Sequence, residues 1–265
     1  MIIVNDKTLE RISTWKDKDV YILTDFDRTL TEGRSESSWG ILSKSDLITK
    51  EYALDRQKLY NYYRPIEINE EMDYDTKNKL MIEWWNKHIG LFIKYNLKED
   101  VIKKAALDTN VMSFRKGTKE FLKDMNDRNI PVIIISAGIG NFIKQFLINN
   151  NCDYENIYIV SNFIKFENGY AIGIEGTIIH SLNKNEVSIP LEIKEIINKR
   201  KNIILMGDSI SDVLMAKEED RADALKIGFL EEKIEENLSF YKNAFDIVCT
   251  NNTGFDELNK YIKND

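Results

Sequence analysis

Five short runs of aliphatic and β-branched residues punctuate this chain: VYILTDF (20–26), PVIIISA (131–137), NIYIVSNF (156–163), NIILMGD (202–208) and FDIVCT (245–250). Each is brief, rich in strand-forming residues and closed by polar or turn-forming ones, so each reads as a strand. Helical patterning separates one run from the next. Strands that alternate with helices pair side by side through crossovers, which predicts an α/β fold, a Rossmann-like and mostly parallel sheet with helices on both faces. In such sheets ligands bind at the carboxyl ends of the strands.

The interval between the first two runs breaks the alternation. Residues 33–112 hold no convincing strand but three helical stretches, SDLITKEYALDRQKLYNYY, YDTKNKLMIEWWNKHIGLFIKY and KEDVIKKAAL. In the second, Leu80, Trp84, Trp85, Ile89 and Phe92 form an apolar face broad enough for a bundle interior and a neighbour at once. An insert of that size after the first strand reads as an all-helical cap (33–112), a lid over the carboxyl edge of a core made of residues 1–32 and 113–265. Lids exclude water and complete a site. A chain of 265 residues has length enough for both, and shows no internal repeat or low-complexity linker.

The charge balance narrows the partners. Against 44 acidic residues stand 37 lysines and arginines, a net charge of -7, which argues against a nucleic-acid partner. An acidic protein that handles phosphate must supply positive charge locally, from a metal or a few lysines. Cys152 and Cys249 have no metal-ligand spacing and suggest no disulfide framework, as suits a reducing compartment. The opening MIIVNDKTLE lacks the pattern of a secretory signal, and no apolar run approaches membrane-spanning length. The expectation is a soluble cytoplasmic protein with a small-molecule partner and no membrane or nucleic-acid partner, its oligomeric state left open.

Polar residues then gather where the strands end. Asp25 and Asp27 close the first run, with Arg28 and Thr29 behind them. Two carboxylates side by side repel unless a cation lies between them or they take turns in chemistry. The second run ends in Ser136, Ala137, Gly138 and Gly140, where backbone N–H groups can approach a ligand. The fourth ends in Asp208, with Gly207 ahead and Asp212 four residues on. Lys184 lies between, in the polar loop HSLNKNE. Singly, each has an ordinary reading as a turn or a solvated side chain; one sheet edge carrying all of them is harder to explain away. Phosphoryl transfer uses such a set: a carboxylate to attack phosphorus, oxygen ligands for Mg²⁺, a lysine, hydroxyl and backbone donors on the phosphate oxygens, and a second carboxylate to move protons.

DFDRT, the strand-ending Ser136, Lys184 and GDSISD together resemble the four motifs of the haloacid dehalogenase superfamily of phosphatases. Longer stretches, among them MIEWWNKHIGL, PVIIISAGIGNFI, VSNF, EGTIIHSLNKNE and IILMGDSISDVLMA, resemble the cytosolic 5′-nucleotidase III (pyrimidine 5′-nucleotidase) family from about residue 20 nearly to the C-terminus. The resemblance implies Asp25 as nucleophile and Asp27 as general acid/base. It implies Mg²⁺ held by Asp25, the backbone carbonyl of Asp27 and Asp208, with Asp212 supporting through the metal's waters. Thr29, Ser136, Ala137, Gly138 and Lys184 would hold the phosphate. In the cap, Glu67 falls where the family contacts the nucleotide base, and Trp39 falls where it presents an aromatic or histidine to that base.

Departures concentrate in the cap. Thr31, Glu32 and Gly33 replace a serine–arginine–phenylalanine segment, the following loop is shorter, and His88 stands where the family has serine. The expected activity is Mg²⁺-dependent hydrolysis of nucleoside 5′-monophosphates, pyrimidine ones foremost, through an aspartyl-phosphate. The alternatives are a phosphatase of another small phosphomonoester, and a non-catalytic phosphometabolite-binding regulator. A regulator has no need of a nucleophile and an acid together.

Overall fold

The computed structural model describes residues 1–265 except 5–9, 11, 45–46, 70, 109–110, 186–188 and 263–265. Ser45 and Asp46 of the first helical stretch, Glu186 of HSLNKNE and part of the opening decapeptide therefore lie outside the described residues. The chain opens with β1 (Ile2–Val4) and then β2 (Val20–Thr24), which is buried at every position.

Four helices follow: α1 (Ser38–Lys44), α2 (Lys50–Glu67), α3 (Tyr74–Lys94) and α4 (Glu99–Ala105). Two begin on side-chain caps. Thr49 Oγ1 accepts from the Tyr52 N–H at 3.3 Å, and Asp73 Oδ1 from the Thr76 N–H at 2.9 Å. Between β2 and the next strand the described residues contain no strand. The helices are not an isolated bundle, however: Trp39, Ile41, Tyr52, Trp85 and Phe92 belong to one buried cluster with Ile22 and Ile134 of the sheet.

After α5 (Thr118–Asp127) come β3 (Val132–Ile139), α6 (Gly140–Asn149), β4 (Ile157–Asn162), a hairpin of β5 (Ile164–Glu167) and β6 (Tyr170–Ile174), and α7 (Leu191–Ile197). Then follow β7 (Asn202–Gly207), β8 (Leu225–Leu230), α8 (Ile234–Ala244), β9 (Ile247–Thr250) and α9 (Phe255–Ile262). The main sheet has seven strands in the order β1-β9-β8-β7-β2-β3-β4. All of its pairs are parallel except β1 on β9. From β2 the chain runs outward through β3 and β4 on one side, and returns through β7, β8 and β9 on the other. That reversal opens a crevice at the carboxyl ends of β2, β3 and β7.

Both faces of the sheet are covered, as strand alternation requires. Val20 and Ile22 of β2 join the cluster that holds Phe121 of α5, Phe142 of α6 and Phe255 of α9. Tyr21 and Leu23 join the other, with Ile193 of α7 and Tyr241 of α8. Four strands escaped the strand patterning: the short β1, β8, and the two of the β5–β6 hairpin. In β8, LKIGFL, Lys226 interrupts the apolar run. The β5–β6 hairpin turns on Asn168 (φ 50°) and Gly169 (φ 81°), an Asn-Gly pair suited to a two-residue turn with both φ positive. Its strand β6 packs on α3.

Candidate active site

The site grows from the end of β2. The Asp25 N–H extends the ladder by donating to the Met206 carbonyl of β7 at 3.0 Å, so the Asp25 side chain emerges at the crevice, only 3% exposed. Its Oδ1 accepts from Lys184 Nζ at 2.5 Å, and the same ammonium donates to Asp212 Oδ1 at 3.2 Å. Asp208 follows β7 directly, and Asp212 lies in the 3₁₀ turn Ile210–Met215. One oxygen from each of Asp25, Asp208 and Asp212 lies within 4.8 Å of the others. Gly207 permits this approach, because a Cβ there would stand 2.4 Å from the Asp212 side chain. Asp212 Oδ2 is already occupied, accepting from the Ser209 N–H at 3.0 Å.

Three carboxylates share one ammonium, and the energetics show it. Burial pushes Asp25 well above the ordinary carboxylate range, against the pull of Lys184, while Asp212 and Asp208 add to the rise. Burial and Asp212 likewise carry Asp208 up to about 7. Burial works against the charge on Lys184, yet Asp212 and Asp25 hold its ammonium above the ordinary lysine value. The negative excess, on hard oxygen donors, suits a divalent cation such as Mg²⁺.

The Asp27 carboxylate belongs to a second group. Both of its oxygens accept from the Ser38 N–H at 3.2 Å, and Oδ2 also accepts from Ser38 Oγ at 3.3 Å. Ser38 Oγ in turn accepts from the Ile139 N–H at 3.1 Å. Burial raises Asp27 to about 6, with the Ser38 bonds holding it back. The β3–β4 register shifts between Ile135 and Ile139, which releases residues 136–138 from the ladder. Within that bulge the Gly138 N–H donates to Ser136 Oγ at 3.0 Å. A Cβ on Gly138 would stand 2.3 Å from Ser38 Oγ, 3.0 Å from Ser136 Oγ and 3.4 Å from Asp27 Oδ2. Those three side chains therefore surround one point of backbone. Lys184 and Asp27 also lie near enough to bias each other's charge.

Thr29 Oγ1 is buried without a hydrogen-bond partner. Its carbonyl is held by Arg115, a fully buried residue that sequence reasoning missed. Arg115 donates to the carbonyls of Thr29 at 3.1 Å and Arg28 at 2.5 Å and to Glu231 at 2.7 Å, and its guanidinium lies 4.4 Å over the Phe229 ring. It anchors the turn in which Arg28 adopts φ 62°. Ser38, at the foot of α1, was missed as well, and so was the role of Asn162. Asn162 Nδ2 donates to the carbonyls of Ala137 at 2.9 Å and Ile179 at 2.8 Å, while its Oδ1 accepts from the Ile179 N–H at 2.8 Å. It staples the Ser136 bulge to the segment leading to Lys184. The one sequence signal for it was a polar residue closing the apolar strand in VSNF.

The candidate residues of the helical segment between β2 and β3 divide. Trp39 is buried, parallel to Phe92 at 5.5 Å and edge-on to Trp85 at 6.3 Å, and its Nε1 donates to the Ala137 carbonyl at 2.9 Å. His88 is packed 4.5 Å from the Trp39 ring and shares a 3.3 Å hydrogen bond with the Tyr52 hydroxyl. Burial takes His88 down to about 3, so the ring is neutral. That is a packing position, and among the described residues no contact joins His88 to the acidic groups. Glu67, at the end of α2, is engaged through Oε2 by the Arg64 guanidinium. No contact among the described residues joins it to the acidic groups either.

A sheet that reverses at β2, an aspartate pair ending that strand, and a buried lysine between further aspartates define a hydrolase of the haloacid dehalogenase fold. A substrate-bound phosphoserine phosphatase shares the fold, with TM-score 0.60 and 21% identity over 94% of this chain and 100% of that one. The chain belongs to the pyrimidine 5′-nucleotidase (UMPH-1) family, whose profile matches residues 22–264. It is 35% identical over 244 residues to the 7-methylguanosine phosphate-specific 5′-nucleotidase of Drosophila melanogaster, covering 89% of this chain and 76% of that protein. The crystal structure of cytosolic 5′-nucleotidase IIIB bound to cytidine superposes with TM-score 0.87 at 32% identity, over 98% of this chain and 92% of that one.

Proposed function

We propose that this chain is a cytosolic Mg²⁺-dependent 5′-nucleotidase that hydrolyses nucleoside 5′-monophosphates, with residues 33–112 as the substrate cap on a core of 1–32 and 113–265. The observation that carries the reading is the buried Lys184–Asp25 ion pair set among Asp208 and Asp212. Asp25, Asp208 and the Asp27 carbonyl would hold Mg²⁺, and Asp212, its oxygens already engaged, would support it. When bound, the cation neutralises the carboxylates and the phosphate oxygens and so lets the two meet.

The chain's own groups supply the rest. Lys184, Ser136 and the backbone of the 136–138 bulge hold the phosphate, and Thr29, whose buried hydroxyl has no hydrogen-bond partner, is the further candidate contact. An Asp25 oxygen attacks phosphorus as the bond to the 5′-oxygen breaks, and Asp27 gives that oxygen its proton. Asp27 then takes a proton from the water that attacks the aspartyl-phosphate, and phosphate leaves. An acid held near 6 by burial can serve both steps close to neutrality. Pyrimidine and 7-methylguanosine monophosphates are the first candidates, a choice supported by the family's pyrimidine 5′-nucleotidases, the 7-methylguanosine phosphate-specific relative and the cytidine-bound one. A panel of CMP, UMP, AMP, GMP, 7-methylguanosine monophosphate and p-nitrophenyl phosphate, with and without Mg²⁺, tests the reading. Metal-dependent turnover that is highest on nucleotides is expected. Turnover of p-nitrophenyl phosphate alone would remove the nucleotide assignment, and full activity in chelator the metal.

A further inference from the structure

The Ala137 carbonyl collects three donors: Asn162 Nδ2 at 2.9 Å, Trp39 Nε1 at 2.9 Å and Trp85 Nε1 at 3.0 Å. Two of them are indoles that enter from different helices of the segment between β2 and β3, one from α1 and one from α3. Both tryptophans are buried. A tryptophan has a single N–H to give. Both of these spend it on one backbone oxygen of the bulge that carries Ser136.

That oxygen belongs to the peptide that ends in the Gly138 N–H. Donors on a carbonyl polarise its amide and strengthen the N–H at the other end. The Gly138 N–H donates in turn to Ser136 Oγ at 3.0 Å. A hydroxyl that accepts from a backbone N–H has its own hydrogen free to point elsewhere. From this chain of bonds we infer that Trp39 and Trp85 are positioning residues of the phosphate site: their N–H groups fix the Ala137–Gly138 peptide and thereby set Ser136 as a donor toward phosphate. The inference rests on the reading of Ser136 as a phosphate contact. It gives Trp39 a role at the phosphate besides the base contact expected of it. The indoles act on the part every substrate shares.

The experiment removes the N–H and keeps a ring. Trp39→Phe and Trp85→Phe are compared with Trp84→Phe, whose indole packs against the rings of Tyr63 at 5.6 Å and Trp85 at 5.0 Å. For each, kcat and KM are measured on a nucleotide and on p-nitrophenyl phosphate, together with inhibition by inorganic phosphate and by the product nucleoside. Melting temperatures report whether each variant is folded. Expected for Trp39→Phe and Trp85→Phe is a loss of about fivefold in kcat, the same on both substrates, from the loss of one hydrogen bond of ordinary strength. Inhibition by phosphate weakens alongside, inhibition by nucleoside does not, and Trp84→Phe behaves as the parent protein on p-nitrophenyl phosphate. Losses confined to nucleotides, with phosphate inhibition intact, would overturn the inference in favour of base contacts. So would unchanged kinetics, or an equal loss in Trp84→Phe. If Trp39→Phe does not fold, Trp85→Phe decides alone. If the protein hydrolyses p-nitrophenyl phosphate but no nucleotide, the proposed function fails while this inference is still decided on p-nitrophenyl phosphate and inorganic phosphate.

Discussion

The acidic sheet edge and the helical segment above it are built on opposite plans. At the edge, four short side chains and a lysine crowd into a buried space where every charge is felt by its neighbours. In the helices, large rings fill the interior: Trp39 on Phe92, Tyr63 on Trp84, His88 on Trp39. The edge is held by charge and backbone geometry, the helices by area. The lesson is that a substitution at the edge changes chemistry with little change of shape, whereas one in the helices changes shape first. The two plans meet where Ser38 holds Asp27 and where the indoles hold Ala137.

The sharpest way to break that contrast is at the nucleophile. Asp25→Asn is nearly isosteric and still offers an oxygen to Lys184, so the fold should persist while turnover falls by roughly 10⁴-fold or more. Steady-state assays on nucleotide and p-nitrophenyl phosphate check it, with a thermal melt as control. Near-native activity on either substrate would end the covalent mechanism.

Next in size is the metal. Chelator should abolish activity and Mg²⁺ restore it. Asp212 already gives its oxygens to Lys184 and the Ser209 N–H, so Asp212→Ala should weaken Mg²⁺ activation about 10- to 100-fold, the range for groups that support a metal's ligands. Asp208→Ala should weaken it more. Titrating activity against Mg²⁺ in each variant ranks them, and the reverse order would exchange the two roles.

A smaller effect is expected where the two regions touch. Burial holds Asp27 near 6, above its ordinary value of 3.8, and the Ser38 bonds pull it down. The acid that protonates a leaving 5′-oxygen must carry its proton, so nucleotide turnover should decline as pH rises through the Asp27 value. Ser38→Ala removes the hydroxyl but not the backbone donor. One downward influence is lost, Asp27 rises, and the alkaline limb of the kcat profile moves to higher pH. The limb should be shallower for p-nitrophenyl phosphate, whose leaving group needs less protonation. A limb that stays in place or moves to lower pH would detach Ser38 from the acid.

The same contrast governs what could be read before the structure. Asp25 and Asp208 were legible because apolar runs mark strand ends and topology alone gathers the ends of adjacent parallel strands, whereas Lys184 stood out only as a cation in a polar loop. Gly138 was read as letting backbone approach a ligand and Gly207 only as the residue ahead of Asp208, and neither was legible as making room for Ser38 or Asp212. Ser38, Arg115 and Asn162 were not legible, since each acts through a long-range bond to backbone or carboxylate that no local pattern signals. Trp39 was singled out for its ring, but a ring in sequence does not say whether its face or its N–H is in use. The Asn168–Gly169 turn was readable in principle and was passed over, lying between short strands outside the main alternation.

The smallest effect is expected farthest from phosphorus, at Glu67. Its Oε2 is committed to Arg64, which fixes the carboxylate at the end of α2 and leaves Oε1 as an acceptor. A base presenting an amine or ring N–H would find that oxygen, and a base without one would not. Glu67→Gln keeps the size, loses the charge and weakens the tie to Arg64. One hydrogen bond of about 1 kcal/mol is at stake, so kcat/KM ratios among CMP, UMP, GMP and 7-methylguanosine monophosphate should shift by about five- to tenfold. Turnover of p-nitrophenyl phosphate, which has no base, should not move. Arg64→Gln separates the two roles of the carboxylate: it frees Glu67 without neutralising it, so base preference should loosen less than in Glu67→Gln. Ratios unchanged in both variants would make the Arg64–Glu67 pair a helix-end ion pair and nothing more. The base would then be read elsewhere in the helical segment, and the aromatic plan of that region would be the place to look.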